Sequence, residues 1–279
     1  MPDLFFIAVT TRASGFLNAL SARCSGFCRA LIPAVVLSGL PLPLQAAAPL
    51  VAIDFGHTLA AHGATSARGR GEFYFNRDLG EALAAALRER GLRVRIVNGD
   101  GRIASLRARP VAAEGADLLV SIHHDSVSAQ LLNAWEWQGR QLDYNDDYAG
   151  HSLFVSRDNP DTARSILCAR AIGARLQRMG FVPTHKNGLL RAYADRELAV
   201  HYYDGLAVLR HARMPALLFE GGVIKNRDEE LLLADPAYQA KMADGMATAI
   251  AACLLSGQPA DNEAGADRPD VLPQTPAGY

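Results

Sequence analysis

The 279-residue sequence predicts an α/β layered fold built around a mostly parallel sheet. Short apolar runs of strand length alternate along the chain with longer segments whose apolar residues recur at helical spacing. Glycines follow several of the helical segments, at the position where a helix commonly ends. In addition, His57, His123 and Glu220 each stand at or just past the end of an apolar run, where open α/β sheets bind their ligands. A random scatter of histidines and glutamates would not give this agreement.

The amino-terminal half of the pattern contains three strands and two helices. The predicted elements are strands at 50–54, around Val94 and Ile96, and at 117–122, and helices at 76–90 and 100–114. The first helix is predicted because Leu79, Leu83 and Leu87 recur every fourth position and therefore share one face. Gly91 then ends that helix.

The carboxy-terminal half continues the alternation. The predicted elements are strands at 152–155 and 215–219, a helix from Asp161 to just before Gly180, and a last helix opened by Asp235 and Pro236. Asp161 can cap its helix, and Pro236 suits a first helical turn. Residues 257–279 have little apolar content and many polar residues, which predicts a disordered tail.

Residues 1–48 have the three parts of a secretory signal peptide. Arginines precede an uncharged run at 30–44, and small residues follow it, which places cleavage near 46–48. The run is short and contains prolines, so we expect it neither to span a bilayer nor to anchor the chain in a membrane. The sequence therefore predicts a periplasmic or secreted protein.

Composition and charge are those of an ordinary globular protein. Hydrophobic residues make up 49% of the chain and charged residues 20%, and the formal net charge is −1. This balance gives no electrostatic basis for binding a nucleic acid, so we expect no such partner.

The cysteines are few. Cys24 and Cys28 fall in the predicted signal peptide, which leaves Cys168 and Cys253 in the mature chain. Each of these two lies within a predicted helix, and neither has a second cysteine nearby in sequence. We expect them to be small core residues rather than a disulfide or a metal-binding pair.

Four residues have the chemistry of a hydrolytic zinc site. His57, Glu72 and His123 supply two imidazoles and a carboxylate, a ligand set that leaves one zinc position open for water. Glu220 follows an apolar run, where a buried unpaired acid would be costly, and a hydrolytic zinc site needs a general base. The four residues are far apart in sequence, so the fold must assemble the site. The sequence thus predicts one zinc ion per chain.

Five segments resemble the zinc-dependent N-acetylmuramoyl-L-alanine amidases of bacterial cell walls, the Amidase_3 family. They are residues 53–57, residues 71–73 with Asn76 following, residues 121–123, residues 215–222 and residues 226–230. Taken in this order the segments are specific, and the resemblance covers residues 50–255. It implies one catalytic domain, residues 49–256, with a mixed, mostly parallel central sheet and helices on both faces.

The resemblance also implies roles for the four residues. His57, Glu72 and His123 would bind zinc, and Glu220 would be the catalytic carboxylate. The implied reaction is hydrolysis of the amide that joins the lactyl group of N-acetylmuramic acid to the L-alanine of the stem peptide. We therefore expect a monomeric enzyme whose partner is peptidoglycan.

Two alternative functions stay open at this stage. The first is another exported zinc peptidase or carboxypeptidase that acts on cell-wall peptides, because the same site chemistry would serve it. The second is a peptidoglycan-binding module without catalysis, which the presence of all four site residues disfavours.

The chain departs from the family at positions next to the site. Phe55 replaces a proline, Thr58 and Leu59 replace glycines, and His124 and Asp125 replace a small residue and an asparagine. Family members that depend on an activator carry an inserted helix that plugs the zinc site. Here only residues 156–160 separate the corresponding strand from the next helix, so we expect no requirement for an activator protein.

Residues beside the predicted ligands have two interpretations. Asp54, His124 and Asp125 either orient the ligand imidazoles or make local turns and hydrogen bonds. His124 has the opposite pleat parity to His123, so we do not expect both rings to bind one metal ion.

Two further groups also leave a choice open. The aromatic cluster between Trp135 and Tyr148 is either a rim that stacks sugar or peptide, or an Ω-like loop packed on its own side chains. Three arginines either meet stem-peptide carboxylates or are solvated. They are Arg70, Arg191 and Arg196.

Overall fold

The computed structural model describes residues 47–255. The predicted tail at 257–279, and all but the end of the predicted signal peptide at 1–48, lie outside these residues. The strands are β1 (Leu50–Phe55), β2 (Arg93–Val97), β3 (Leu118–Asp125), β4 (Asn133–Trp137), β5 (Arg140–Tyr144), β6 (Ser152–Val155), β7 (Tyr193–Asp195), β8 (Val200–Tyr202) and β9 (Ala216–Val223). The helices are α1 (Glu72–Glu89), α2 (Ala108–Ala112), α3 (Thr162–Arg178), α4 (Ala207–Arg210), α5 (Glu229–Leu233) and α6 (Pro236–Leu255).

Seven of the strands form one sheet in the order β2-β1-β3-β9-β6-β8-β7. The pairs β1–β2, β1–β3, β3–β9 and β6–β8 are parallel, whereas β6–β9 and β7–β8 are antiparallel. Almost all residues of the central strands β1, β3 and β9 are buried, as expected for strands that are covered on both faces. The predicted mixed, mostly parallel sheet is confirmed.

Helices cover both faces of this sheet. Ile53 of β1 packs in an apolar cluster with residues of α1, α3 and α6, whereas its neighbour Ala52 packs in a second cluster with Leu209 of α4. Successive residues of a strand point to opposite faces, so the two clusters lie on opposite sides of the sheet, as predicted. None of the helices in residues 47–255 is long and apolar enough to cross a membrane.

Two predicted helices differ from the observed ones. The first begins at Glu72 rather than at residue 76, so the predicted metal ligand occupies its first turn. The second is helical only over Ala108–Ala112. Asn98 and Gly101 have positive φ values of 57° and 66°, and the Asn98 side chain accepts a hydrogen bond from the Ile103 amide at 2.8 Å. This stretch is therefore a turn held by a side chain, and the longer helix prediction is wrong.

The expectation for the two mature-chain cysteines is also wrong. Cys168 of α3 and Cys253 of α6 form a disulfide, with their Cα atoms 5.3 Å apart. Both residues are buried where α3 and α6 pack on the same face of the sheet. Each cysteine was correctly predicted to be a core residue within a helix, but the sequence did not show that the two side chains meet.

Candidate metal centre

The three predicted ligands come together at the carboxyl ends of β1 and β3. The Glu72 carboxylate lies between the two rings, with Oε2 2.9 Å from His57 Nε2 and Oε1 3.0 Å from His123 Nδ1. One donor atom from each residue lies within 4.8 Å of the others. The fold thus assembles the cluster that the sequence predicts.

The backbone at His57 is held in an unusual conformation. His57 follows β1 with a φ of 65°, which is uncommon for a residue other than glycine and costs free energy. The Asn98 side-chain amide donates to the carbonyls of Phe55 and His57, both at 2.7 Å. Arg109 donates to the same two carbonyls. Asn98 and Arg109 therefore fix the turn that presents the His57 ring.

Asp54 takes part in this support without touching a predicted ligand. It is fully buried and pairs with Arg109, whose Nη1 lies 3.1 Å from its Oδ1. Ser121 donates to its other oxygen at 2.7 Å. Asp54 therefore neither orients an imidazole directly nor serves only as a turn residue. It positions Arg109, which in turn binds the carbonyl of His57.

Replacement of Asn98 by alanine tests this support. The variant loses two hydrogen bonds to carbonyls at the His57 turn and places alanine at a positive φ. We expect the free energy of unfolding to fall by about 2 kcal/mol. Because the His57 ring is then less well positioned, we also expect the affinity of the protein for zinc to fall roughly tenfold.

Urea unfolding of the apoprotein and competition with a chelating dye would measure the two quantities. Asn133→Ala is the matched control, since Asn133 is exposed on β4 away from the cluster. Unchanged zinc affinity in Asn98→Ala would contradict the positioning role.

Glu72 is buried and ionised. Burial by itself raises the pKa of Glu72, but its hydrogen bonds with His123 and His57 hold the pKa below the ordinary range. Amides of Ala64 and His124 also donate to this carboxylate, at 3.1 and 3.3 Å. The cluster thus offers one negative charge and two imidazole nitrogens.

The cluster fits a zinc ion on two grounds. Its donor set, two nitrogens and one carboxylate oxygen, is that of hydrolytic zinc sites with an open position. The space around the donors also depends on glycine, because a Cβ at Gly56 would lie 2.3 Å from His123 Nε2, and one at Gly63 would lie 2.4 Å from Glu72 Oε2. Side chains are therefore kept away from the His123 ring and the Glu72 carboxylate.

His124 is not part of the cluster. It is buried, and its Nδ1 lies 2.8 Å from the Asn76 amide oxygen. Burial lowers the pKa of His124 to about 3, so the ring is neutral. The prediction that His124 bonds locally and does not share the metal with His123 agrees with this geometry.

Glu220 stands beside the cluster on the neighbouring strand. In the parallel register of β3 and β9, Glu220 is the partner of His123. Its Oε2 is buried and has no hydrogen-bond partner among the described residues. Burial raises the pKa of Glu220 well above the ordinary value, and the nearby carboxylates of Asp125 and Glu72 raise it further. An unpartnered buried carboxyl oxygen is costly, which points to a functional rather than a structural role.

Asp125 does not contact the predicted ligands either. It binds Lys186 at 2.9 Å and the Asn187 side-chain amide at 2.8 Å. It therefore anchors the segment that contains Lys186 and Asn187 beside Glu220, instead of orienting an imidazole.

Glu229 fixes the end of the strand that carries Glu220, a role that its place in the family-like segment 226–230 does not reveal. Its two carboxylate oxygens accept hydrogen bonds from the amides of Gly150 and Val223, both at 2.8 Å. Burial raises the pKa of Glu229 to about 7, although the two amide donors oppose the shift. The folded protein therefore holds a proton on Glu229 at a pH where the unfolded chain has released it.

This raised pKa predicts a stability that depends on pH. The contribution of Glu229 is fully present below the ordinary pKa of 4.5 and is lost as the pH rises through about 7. Relative to Glu229→Gln, we expect the wild-type protein to lose on the order of 2 kcal/mol of stability between pH 5 and pH 8. Urea unfolding of both proteins across this range would measure the difference. Glu114→Gln, at an exposed position, should show no such change.

All of the aromatic cluster except Tyr148 lies in a β-hairpin of β4 and β5. The segment is therefore not an Ω-like loop, although it is packed on its own aromatic side chains as that interpretation expected. Trp135 and Trp137 stack with their ring centroids 5.4 Å apart, and the Arg68 guanidinium lies 4.9 Å from the Trp137 ring. Trp135 Nε1 donates to the Ala67 carbonyl at 2.9 Å. The aromatic face of the hairpin thus packs on the segment that leads into Glu72.

The same segment is tied to α5. The buried Glu230 carboxylate accepts hydrogen bonds from Ser66 Oγ at 2.5 Å and from Arg68 Nη1 at 3.0 Å. Ser66 Oγ in turn accepts from the Arg70 amide at 2.8 Å. The segment that precedes Glu72 is therefore held by the β4–β5 hairpin and by α5, and these contacts position Glu72 in the cluster.

Solved structures with a similar fold are amidases. The catalytic domain of CwlV from Bacillus (Paenibacillus) polymyxa var. colistinus is 25% identical, with a TM-score of 0.56, over 72% of this chain and 96% of that one. The N-acetylmuramoyl-L-alanine amidase of Clostridium difficile 630 is 22% identical, with a TM-score of 0.58, over 73% and 95%. Ami1 of Mycobacterium smegmatis is 22% identical, with a TM-score of 0.58, over 76% and 99%.

Sequence comparison gives the family directly. No curated protein matches the sequence. Residues 51–252, however, match the family model of the N-acetylmuramoyl-L-alanine amidases, and this match spans well over half of the chain. The chain therefore belongs to the Amidase_3 family of N-acetylmuramoyl-L-alanine amidases.

Proposed function

We propose that this amidase binds one zinc ion through His57, Glu72 and His123 and uses Glu220 as its general acid and base. The reaction is hydrolysis of the amide between N-acetylmuramic acid and the L-alanine of the stem peptide. The observation that carries the proposal is the arrangement of an ionised His–Glu–His cluster with an unpartnered carboxyl on the next strand. This is the donor set and the acid–base group that amide hydrolysis requires.

The residues divide the work of the reaction. When bound, zinc polarises an amide carbonyl and lowers the pKa of water to about 7. Glu220 takes a proton from the attacking water and delivers it to the alanine nitrogen as the C–N bond breaks. One water is consumed, and the products are the lactyl carboxylate of the sugar and a peptide with a free amino-terminal alanine. In the second step the donor is the carboxyl group of Glu220 that carries the proton taken from water.

Digestion of purified sacculi tests the reaction and the metal together. We expect the purified domain to release intact stem peptides with amino-terminal alanine, as identified by mass spectrometry. A chelator should abolish the release, and added zinc should restore it. Release of shortened peptides, with the bond to the sugar intact, would instead indicate a cell-wall peptidase. Full activity in chelator would contradict a metal-dependent site.

We also propose that the enzyme needs no activator protein. Between β6 and α3 the chain has only residues 156–161, with no inserted helix in this part of the described structure. The hydrolysis rate of the purified mature domain alone would test this. A rate that stays at background until an extract is added would contradict it.

Export to the periplasm or the medium remains a proposal. The charged and apolar pattern of residues 1–48 supports it, and so does the Cys168–Cys253 disulfide, because disulfides persist in oxidising compartments. Amino-terminal sequencing of the protein from cell fractions would test it. A mature chain that begins near residues 47–49 in the soluble exported fraction is the expected result.

A further inference from the structure

The segment after α3 lies over the strands beside Glu220. The Asn187 side chain donates to Ser152 Oγ at 3.3 Å, and Ser152 is the strand partner of Glu220. Four residues later, the Arg191 guanidinium lies 3.8 Å from the Tyr203 ring centroid and 5.8 Å from that of Phe154. Ser152 and Phe154 are two positions apart on β6, so they point to the same face of the sheet. Arg191 therefore lies over the sheet face on which Glu220 stands.

Arg191 lacks an acidic partner within the part of the chain that is described. Its guanidinium makes no ion pair or hydrogen bond there, and its Nε is buried without an acceptor. The other cation beside Glu220, Lys186, is already paired with Asp125 at 2.9 Å. Arg70, an earlier candidate for substrate contact, is paired with Asp78. The Arg191 guanidinium is thus held against the Tyr203 ring and keeps an N–H donor without an acceptor. Such a group can bind an anion that the described part of the protein does not itself supply.

The charges around Glu220 are arranged asymmetrically. The His57–Glu72–His123 cluster lies on the β1 and β3 side, and Lys186 is held by Asp125 at the end of β3, whereas Arg191 lies on the β6 and β8 side. Of the two halves of the substrate, the sugars are largely uncharged and the stem peptide carries carboxylates. Charge complementarity therefore places the peptide over β6 and β8.

The distances also match. Two residues of a strand span about 7 Å, which separates the position beside Glu220 from Phe154, under Arg191. An extended peptide advances about 3.5 Å per residue, so a carboxylate on the residue after L-alanine lies roughly 7 Å from the scissile amide. The L-alanine itself cannot be the partner of Arg191, because its carboxyl group is consumed in the amide bond to the next residue.

We propose that Arg191 binds the carboxylate of the stem-peptide residue that follows L-alanine and thereby sets a preference for stem peptides with a free acid at that position. This inference rests on the proposed amidase function of the same site. Arg191 would then bind substrate, in addition to stabilising the fold through its contact with Tyr203.

Two soluble muropeptides provide the test. They differ only in that the residue after L-alanine has a free carboxylate in one and a carboxamide in the other. We expect the wild-type zinc enzyme to favour the acid in kcat/KM by roughly tenfold, mainly through KM, because a charge-assisted hydrogen bond is lost with the amide. Arg191→Gln should abolish the preference, so that the ratio of kcat/KM for the acid to kcat/KM for the amide falls from roughly ten to about one.

Two further variants separate binding from folding. Arg191→Lys keeps a positive charge and should retain part of the preference. Arg196→Gln removes an exposed arginine of the same region, which lies over Tyr193, and should retain the whole preference. Thermal unfolding of each variant would show that the fold is intact.

The outcomes are distinct. Equal wild-type rates on the two muropeptides would overturn the Arg191 inference and leave the amidase function standing. An Arg191→Gln variant that slows both substrates equally would also overturn it, since that result indicates a structural role. Failure of the wild-type enzyme to hydrolyse either muropeptide or sacculi would overturn the proposed function itself.

Discussion

Glu220→Gln is expected to lower kcat for amide hydrolysis by about 10³-fold without loss of bound zinc. The glutamine side chain has nearly the same shape, but it can neither take a proton from water nor deliver one to the leaving nitrogen. General acid–base catalysis contributes about 10²- to 10⁴-fold in enzymes, and here the same group serves both proton transfers. The fold should tolerate the change, because burial already favours the neutral form of Glu220.

Glu72→Gln is the matched comparison, because the chemical change is identical and only the position differs. Glu72 lies within 3.0 Å of both imidazoles, so its amide variant should lose zinc as well as activity. Metal analysis after gel filtration, together with single-turnover rates on a muropeptide, would separate the two effects. If Glu220→Gln cleaves as fast as wild type, the assignment of the general acid and base is wrong.

Removal of the disulfide should have the largest effect on stability. The Cys168–Cys253 link closes a loop with a sequence separation of 85, and the chain-entropy model assigns such a link about 4.5 kcal/mol. For a domain of this size, 1 kcal/mol corresponds to about 2–4 °C in Tm. We therefore expect Cys168→Ala/Cys253→Ala to unfold about 10–18 °C below the wild-type protein.

A reductant provides an independent check on the same link. Dithiothreitol should lower the Tm of the wild-type protein and leave that of the double variant unchanged. Zinc must be absent from this comparison, since a reductant also binds metal. Two free thiols in the unreduced wild-type protein, detected by alkylation and mass spectrometry, would contradict the disulfide.

The elements of this fold that depend on local pattern were predicted well from the sequence. The strand around Ile53 and the helix that carries Leu79, Leu83 and Leu87 are strongly periodic, and both were found. Two local elements were nevertheless missed. The β4–β5 hairpin was not predicted, although Trp135 and Trp137 alternate with a polar residue and Gly139 follows in the turn. The turn at Asn98 is held by a side chain that a periodicity argument does not see.

The candidate site shows the same division. His57, Glu72 and His123 were predicted to meet, and they do so, because ligand chemistry limits the residue types and strand ends limit the positions. Their supporting residues were missed. Arg109 acts by hydrogen bonds to backbone carbonyls distant in sequence, and nothing in its own neighbourhood marks it. Glu229 and Glu230 lie in the segment 226–230 that resembles the family, but the segment does not reveal their contacts with Gly150 and Ser66.

The same limit explains the error over the cysteines. Cys168 and Cys253 each lie on the inner face of a correctly predicted helix. Their bond depends on how α3 packs against α6, and this packing follows from the whole fold rather than from either helix.

The order of strands has a consequence for biosynthesis. β9 is the last strand to be made, yet it lies between β3 and β6 in the middle of the sheet. Until β9 is inserted, a growing chain has the residues of its His57–Glu72–His123 cluster but lacks Glu220 beside them, and its sheet is in two pieces. An amidase that hydrolyses peptidoglycan, the polymer around its own cell, therefore becomes active in one late step, when synthesis of the domain is nearly complete.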